Sequence, residues 1–215
     1  MIIGIDEAGR GPVIGPMVIT GVQIKENDEK ALKDLEVKDS KLLKPKRREE
    51  LYTEIKNTAE KIKTITIDAK TIDDLRKTKT LNIIELEAFT DIINSLDAKT
   101  VYLDLPEHNS DFAERLKAKV KREIDLTAEH KADERYPVVS AASIIAKVTR
   151  DRKITDIEKD TGEPIGSGYP SDPQTKMFLK THYEKNKNFP TFVRLSWGTV
   201  KKITDQNKQS KLTGF

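Results

Sequence analysis

The chain begins with short apolar runs that end in glycine and proline. Residues 2–5 are apolar, acids follow at Asp6 and Glu7, and the segment 9–12 contains two glycines and a proline. We predict a short buried strand that ends at these acids, where the glycines turn the chain. Residues 16–24 begin with a proline and are rich in β-branched residues, which predicts a second strand close to the first.

Along the rest of the chain, the spacing of the apolar residues alternates between the periods that are typical of strands and of helices. Apolar residues three or four apart predict helices over residues 45–62, 82–96 and 109–121, and a long helix from Val138. Alternation and short apolar runs predict strands over 63–68, 99–105 and 123–127. We predict a polar loop over 130–137 and a linker or functional loop over 161–173, followed by short helices.

This order of elements favours an α/β fold class. Strands that come first and then alternate with helices predict a mixed β-sheet flanked by helices, with a small helical C-terminal region. The chain of 215 residues is long enough to bury a substantial core. We expect a main domain over residues 1–160, and a loop, helices and a tail over residues 161–215.

Composition limits the classes of function. Charged residues make up 35% and hydrophobic residues 36% of the chain, which is typical of a soluble globular protein. The net charge of +3 is small, so any contact with nucleic acid must be local. The absence of cysteine excludes disulfides, thiolate zinc sites and a cysteine nucleophile. Without a signal-like start or an apolar run of ~20 residues, we expect a cytoplasmic protein.

Four carboxylates have similar places in the predicted elements. Asp6 and Glu7 end the first strand, Asp104 ends a later strand, and Asp133 precedes the long helix. If the strands are neighbours, the four acids meet, and their repulsion must be relieved by cations. Oxygen ligands suit Mg²⁺ or Mn²⁺, and a pair of such ions can activate water at a phosphodiester. The alternatives are an acidic strand end and, for Asp133, a helix cap.

Other residues could contact a substrate. Arg10 stands between Gly9 and Gly11, and this glycine-rich turn leaves backbone N–H groups able to approach a phosphate or a sugar hydroxyl. Tyr169 lies on a glycine-proline loop, where its ring could stack on a base or sugar or instead fill the core. The candidate phosphate contacts, for which a solvated basic face is the alternative, are Ser40, Lys41, Lys147 and Arg150.

Several segments together carry a resemblance to one family. They are residues 6–16 (DEAGRGPVIGP), 39–42, 131–133, 136–148 and 166–172, with Asp104 in its strand and Ser196-Trp197 near the end. In this order they resemble type 2 ribonuclease H (ribonuclease HII) in its archaeal form, over residues 2 to about 200.

The resemblance implies a fold, an activity and roles for the site residues. It implies a ribonuclease H-like sheet, hydrolysis of RNA in RNA/DNA hybrids, and cleavage beside ribonucleotides embedded in duplex DNA. Asp6, Glu7, Asp104 and Asp133 would be catalytic metal ligands. Gly9, Arg10 and Gly11 would read the 2′-hydroxyl, which distinguishes RNA from DNA, and Tyr169 would stack on the neighbouring sugar.

The C-terminal tail carries a separate hypothesis. Gln209, Leu212 and Phe215 have the spacing of a peptide that docks on the replication sliding clamp (PCNA). Such peptides commonly end in a second aromatic residue, which is absent here, and a frayed polar tail is the alternative. We expect a monomer, although the sequence leaves the oligomeric state open.

Two other functions stay open at this stage. The first is a metal-dependent nuclease of the same fold that cuts DNA, since a fold does not fix a substrate. The second is a non-catalytic adaptor that binds nucleic acid or the clamp. A GTPase-like phosphate site at Gly9-Arg10-Gly11 is excluded because the Lys-Ser/Thr pair of such sites is absent there.

Overall fold

The structure is a computed structural model that describes residues 1–35, 43–105 and 111–212, with side chains as far as residue 207. Its strands are β1 (Ile2–Ala8), β2 (Met17–Ile24), β3 (Lys61–Ile67), β4 (Thr100–Asp104) and β5 (Asp125–Glu129). Its helices are α1 (Glu29–Asp34), α2 (Pro45–Thr58), α3 (Ala69–Leu75), α4 (Leu81–Ser95), α5 (Phe112–Lys119), α6 (Ala132–Arg135), α7 (Pro137–Thr161), α8 (Pro173–Asn186) and α9 (Gly198–Leu212). Each helix within these ranges is too short or too polar to cross a lipid bilayer.

The five described strands form one mixed sheet in the order β3-β2-β1-β4-β5. β1 pairs antiparallel with β2 and parallel with β4, and β4 pairs parallel with β5. β1 and β2 are buried along almost their whole length, because apolar central strands are covered on both faces. The predicted α/β class, with a mixed sheet and flanking helices, is confirmed.

The start of α7 packs closely on the centre of β1. A Cβ atom at Gly4 would lie 2.3 Å from the carbonyl carbon and oxygen of Val138, so a larger residue would force the helix away from the strand. The next turn of α7 presents the buried small residues Ala141 and Ala142. This close approach holds the long helix over the strand that leads to Asp6.

The described chain divides into two compact units. The first unit comprises residues 1–8, 18–66 and 80–149, and the second comprises 9–17, 67–79 and 150–215. Each unit has its own apolar cluster, the first built mainly on β2, α2 and α7 and the second on residues of α7, α8 and their neighbouring loops. The predicted domain boundary at residue 160 stays a prediction, and each of the two compact units combines three separate segments of the chain.

Among the predicted boundaries that differ from the structure are the end of α2 and the place of β5. α2 ends at Thr58 rather than near residue 62, because Ala59 adopts an extended backbone with φ −72° and ψ 136°. Ile62 therefore lies in β3, where its side chain packs against the core of the first unit. The strand predicted over 123–127 is displaced by two residues, since β5 runs from Asp125 to Glu129.

The polar loop predicted over 130–137 contains the short helix α6. Lys131 precedes this helix in the left-handed conformation, with φ 61°. The N–H of Ala132 then donates to Oδ1 of Asp104 at 2.8 Å. A tertiary hydrogen bond thus starts a helical turn that the polar sequence alone did not indicate.

Candidate functional site

Two of the predicted acids meet in the first unit where the pairing of β1 with β4 stops, although β1 continues past Asp6 and Glu7 to Ala8. Ile5 of β1 pairs with Leu103 of β4 in parallel register, so Asp6 and Asp104 are the next residues on the two strands. Asp6 is buried, with 4% of its surface exposed. The sheet topology therefore brings together two carboxylates that are far apart in sequence.

The third acid reaches the same region from α6. Asp133 follows directly after Ala132, whose N–H is bound to Asp104, and it is 5% exposed. The N–H of Glu7 donates to Oδ1 of Asp6 at 2.7 Å. These backbone hydrogen bonds fix the carboxylates of Asp6 and Asp104 at the sheet edge.

Burial and like charges raise the pKa of Asp6 from 3.8 to about 7. Loss of solvation is the main cause, and the negative charges of Asp104 and Asp133 add to it. Hydrogen bonds from the Ser143 side chain and the Glu7 N–H act in the opposite direction. Asp6, Asp104 and Asp133 thus form one electrostatic cluster, which a cation would stabilise.

The donor chemistry of this cluster fits a divalent cation. Oδ1 of Asp133 is buried and accepts no hydrogen bond from the described residues, so it is an oxygen that a cation could satisfy. Among the described residues, however, no group of three or more His, Asp or Glu side chains has an arrangement that could hold a metal ion. The assignment of Asp6, Glu7, Asp104 and Asp133 as metal ligands therefore stays a prediction.

The glycine-rich turn belongs to the second unit, where side chains bind its carbonyls. Gly9 has φ 86°, and a Cβ there would lie 2.5 Å from the carbonyl oxygen of Pro16, so the position requires glycine. Arg194 donates to the carbonyl oxygens of Gly9 and Arg10 at 2.6 and 3.1 Å. The turn is thus held through its carbonyls.

Tyr169 lies beside this turn and is open to solvent. The residue is 39% exposed, so its ring does not fill the core. A Cβ at Gly11 would lie 3.7 Å from Cε1 of the ring. An accessible aromatic face therefore adjoins the glycine turn in the second unit.

The loop that carries Tyr169 is fixed by Asp172. This carboxylate accepts hydrogen bonds from the N–H and hydroxyl of Ser167 and, at 2.8 Å, from the N–H of Gln174. The Ser167 hydroxyl is the largest cause that lowers the pKa of Asp172 from 3.8 to about 2, and the two N–H groups add to it. The same residue also caps α8.

The structure describes two of the four predicted phosphate contacts, Lys147 and Arg150. Arg150 is 5% exposed, and its guanidinium donates to the carbonyl of Ser167 and lies 5.3 Å from the Tyr169 ring centre, so it is not part of a solvated basic face. Lys147 is half-buried on α7. Ser40, Lys41 and Phe215 lie outside the described residues, and α9 includes Gln209 and Leu212 without describing their side chains.

Sequence reasoning missed three residues that organise these sites. Ser143 was noted only as part of a family segment, and nothing in the pattern indicated its bond to Asp6. Arg194 follows Phe192 and Val193, and a charged residue within an apolar stretch was the available signal that it is buried. Asp172 precedes Pro173 at the start of α8, which is a recognisable helix-cap pattern.

The Asp172 contacts predict a pH-dependent contribution to stability. The pKa of Asp172 is lowered in the folded protein, so the stabilisation is present above about pH 4 and is lost as the pH falls towards about 2. Asp172→Asn should therefore lower the urea midpoint at neutral pH, and this difference from the wild type should shrink across that acidic window. Asp160→Asn, at an exposed position of α7, is the control. A difference that stays constant down to about pH 2 would contradict the role of the charge.

Comparisons with known proteins identify the family. The sequence model of the ribonuclease HII family matches residues 3–200. A ribonuclease HII of Methanococcus maripaludis is 48% identical over 218 residues, which cover 99% of this chain and 90% of the relative.

Solved structures agree with this match. The ribonuclease H2 from Pyrococcus horikoshii OT3 is 42% identical with a TM-score of 0.90, and the match covers 97% of this chain and 99% of that one. The ribonuclease HII in a complex with PCNA from Archaeoglobus fulgidus is 41% identical with a TM-score of 0.86, over 94% and 96% of the two chains. On sequence and on fold, this chain belongs to the ribonuclease HII family.

Proposed function

We propose that the chain is an endoribonuclease that hydrolyses the RNA strand of RNA/DNA hybrids and cuts 5′ of ribonucleotides embedded in duplex DNA, leaving 3′-hydroxyl and 5′-phosphate ends. Membership of the ribonuclease HII family makes it a nuclease of the ribonuclease H type. The observation that carries the finer proposal is the cluster of buried Asp6 and Asp133 with half-buried Asp104. Burial of Asp6 and the negative charges of the other two acids raise the pKa of Asp6.

The proposed cofactor is Mg²⁺ or Mn²⁺, held by Asp6, Glu7, Asp104 and Asp133. Divalent cations at such a site activate a water nucleophile and stabilise the leaving oxygen of a phosphodiester. The contribution of the chain is to hold the carboxylates in place. Asp6 is oriented by the N–H of Glu7, and Asp104 by the N–H of Ala132.

The proposed substrate contacts lie on the glycine turn and on the Tyr169 loop. Backbone groups of Gly9, Arg10 and Gly11 would bind the 2′-hydroxyl, and a site that binds a hydroxyl strongly disfavours substrates that lack it. Tyr169 would stack on the adjacent sugar, which its exposed ring supports. Arg150 is included in the proposed substrate site because its guanidinium contacts the Tyr169 ring.

The remaining substrate contacts are proposed from sequence. Lys147, Ser40 and Lys41 would bind backbone phosphates, which position a duplex without reading its sequence.

A cleavage assay tests the proposed function. With Mg²⁺ or Mn²⁺, the wild type should cut a DNA duplex that contains one ribonucleotide and should not cut the all-DNA duplex. When a chelator removes the metal ions, neither duplex should be cut. Asp104→Asn should lower the rate by at least about 100-fold, which corresponds to about 2.7 kcal/mol of activation free energy. Asp91→Asn removes an exposed carboxylate on α4 and should retain activity.

Three results of this assay would overturn the proposal. Cutting of the all-DNA duplex at a comparable rate would favour a DNA-specific nuclease of the same fold. Full activity of Asp104→Asn in cleavage would show that the acidic cluster is not catalytic, and failure to cut any substrate with either metal would favour an adaptor.

We also propose that the C-terminal tail docks on a sliding clamp (PCNA). The similar ribonuclease HII from Archaeoglobus fulgidus was solved in a complex with PCNA. In this chain α9 continues to Leu212, so the helical backbone extends through Gln209 of the candidate peptide. A short helical segment that presents apolar anchors is a common way to bind a hydrophobic groove.

The clamp proposal predicts tail-dependent binding. The full-length protein should bind a purified archaeal sliding clamp in calorimetry, and Leu212→Ala combined with Phe215→Ala should weaken this binding at least about tenfold, because hot-spot residues dominate such contacts. Ser210→Ala is the matched control. Equal binding by all variants would exclude the tail, and no binding by the wild type would remove the proposal.

A further inference from the structure

We propose that Arg194 and Trp197 are positioning residues that orient the Gly9–Gly11 turn for recognition of the ribose. This inference rests on the proposed function, because it concerns how the turn reads a 2′-hydroxyl. All the residues that carry it lie in the second unit.

Arg194 binds three backbone carbonyls with one buried guanidinium. The residue has 0% exposure, and it donates through Nη2 to Gly9, through Nη1 to Arg10 and through Nε to Gly15. The distances are 2.6, 3.1 and 2.9 Å, so the last two lie in the usual range for N–H···O hydrogen bonds and the first is slightly shorter. A planar guanidinium presents donors in fixed directions, so it fixes the carbonyls relative to one another.

Trp197 completes the set of bonds to the turn. Its indole N–H donates to the carbonyl of Gly11 at 3.0 Å. Two arginines contact its ring, with the guanidinium carbons of Arg76 and Arg194 at 5.3 and 4.8 Å from the ring centre. The three consecutive carbonyls of the turn are therefore all held by Arg194 and Trp197. The Gly11 carbonyl precedes Pro12, which has no N–H, so Trp197 acts by fixing the end of the turn.

The segment that carries these two residues is itself anchored to α3. Asp73 accepts hydrogen bonds from the N–H of Leu195 at 2.6 Å and of Ser196 at 3.0 Å. Both oxygens of one carboxylate thus bind the backbone between Arg194 and Trp197. This anchor limits how far either side chain can move away from the turn.

Peptide planarity converts these bonds into an orientation of the N–H groups. In a trans peptide the C=O and the N–H of the same unit point in opposite directions, and the described chain has no cis peptide. Fixing the carbonyls of Gly9 and Arg10 towards Arg194 therefore directs the N–H groups of Arg10 and Gly11 away from it. Those are backbone donors of the kind that the proposed function assigns to the 2′-hydroxyl.

The inference predicts a specific loss in variants that keep the fold. Trp197→Phe retains a ring beside Arg194 but removes the bond to Gly11, and it should lower kcat/KM for a single-ribonucleotide duplex by about 3- to 10-fold, the worth of one hydrogen bond. Arg194→Lys cannot bind three carbonyls at once and should cost at least about 100-fold. Arg115→Lys, at an exposed position of α5, should change nothing.

Two further readouts distinguish positioning from a general structural role. The Kd for an all-DNA duplex, measured by fluorescence anisotropy, should stay within about twofold of the wild type in both variants, because phosphate contacts do not depend on the turn. The unfolding temperature of Trp197→Phe should remain close to that of the wild type. If Arg194→Lys does not fold, Trp197→Phe decides the question alone.

The outcomes separate this inference from the proposed function. An unchanged kcat/KM in folded Trp197→Phe, or a loss of affinity for all-DNA duplex by the same factor, would overturn the positioning role. If the wild type itself does not cut the ribonucleotide duplex, the proposed function fails whatever the variants do.

Discussion

The structure depends on carboxylates of like charge that lie close together where the parallel pairing of β1 with β4 ends. Asp6 is almost fully buried, and its neighbours Asp104 and Asp133 raise its pKa rather than lower it. Burial of such charges costs free energy unless they are paired. Backbone N–H groups of Glu7 and Ala132 nevertheless hold the oxygens in place. The fold thus maintains an arrangement that a bound cation would stabilise, which is typical of a functional site rather than of a structural core.

In the second unit, side chains hold the glycine turn of the backbone in a fixed conformation. Arg194 and Trp197 bind three consecutive carbonyls of the glycine turn, and Asp73 anchors the segment between them. Tyr169 is exposed beside Gly11, on a loop that is fixed by Asp172. In the proposed function, recognition would come from backbone donors that are held in place before the substrate binds, which lowers the entropic cost of binding.

Much of the fold followed from the sequence, while the supporting contacts did not. The apolar runs before Asp6 and Asp104 predicted both strands, and glycine and proline positions marked their ends. The start of α6 was missed because a tertiary bond from Asp104 creates it. The sequence does not show that the Arg150 guanidinium is buried, and for Arg194 its apolar neighbours indicate burial but not which carbonyls it binds. Long-range hydrogen bonds of this kind leave no periodic signal along the chain.

The most direct test of the acidic cluster is the unfolding temperature of the wild type and of Asp104→Asn at about pH 8, measured in EDTA and again with Mn²⁺. Asparagine keeps an oxygen for the Ala132 N–H and removes one charge. Like-charge repulsion predicts that the variant is the more stable protein in EDTA, by on the order of 1 kcal/mol. Mn²⁺ should then stabilise the wild type far more than the variant. A variant that is less stable in EDTA and responds equally to Mn²⁺ would contradict the account.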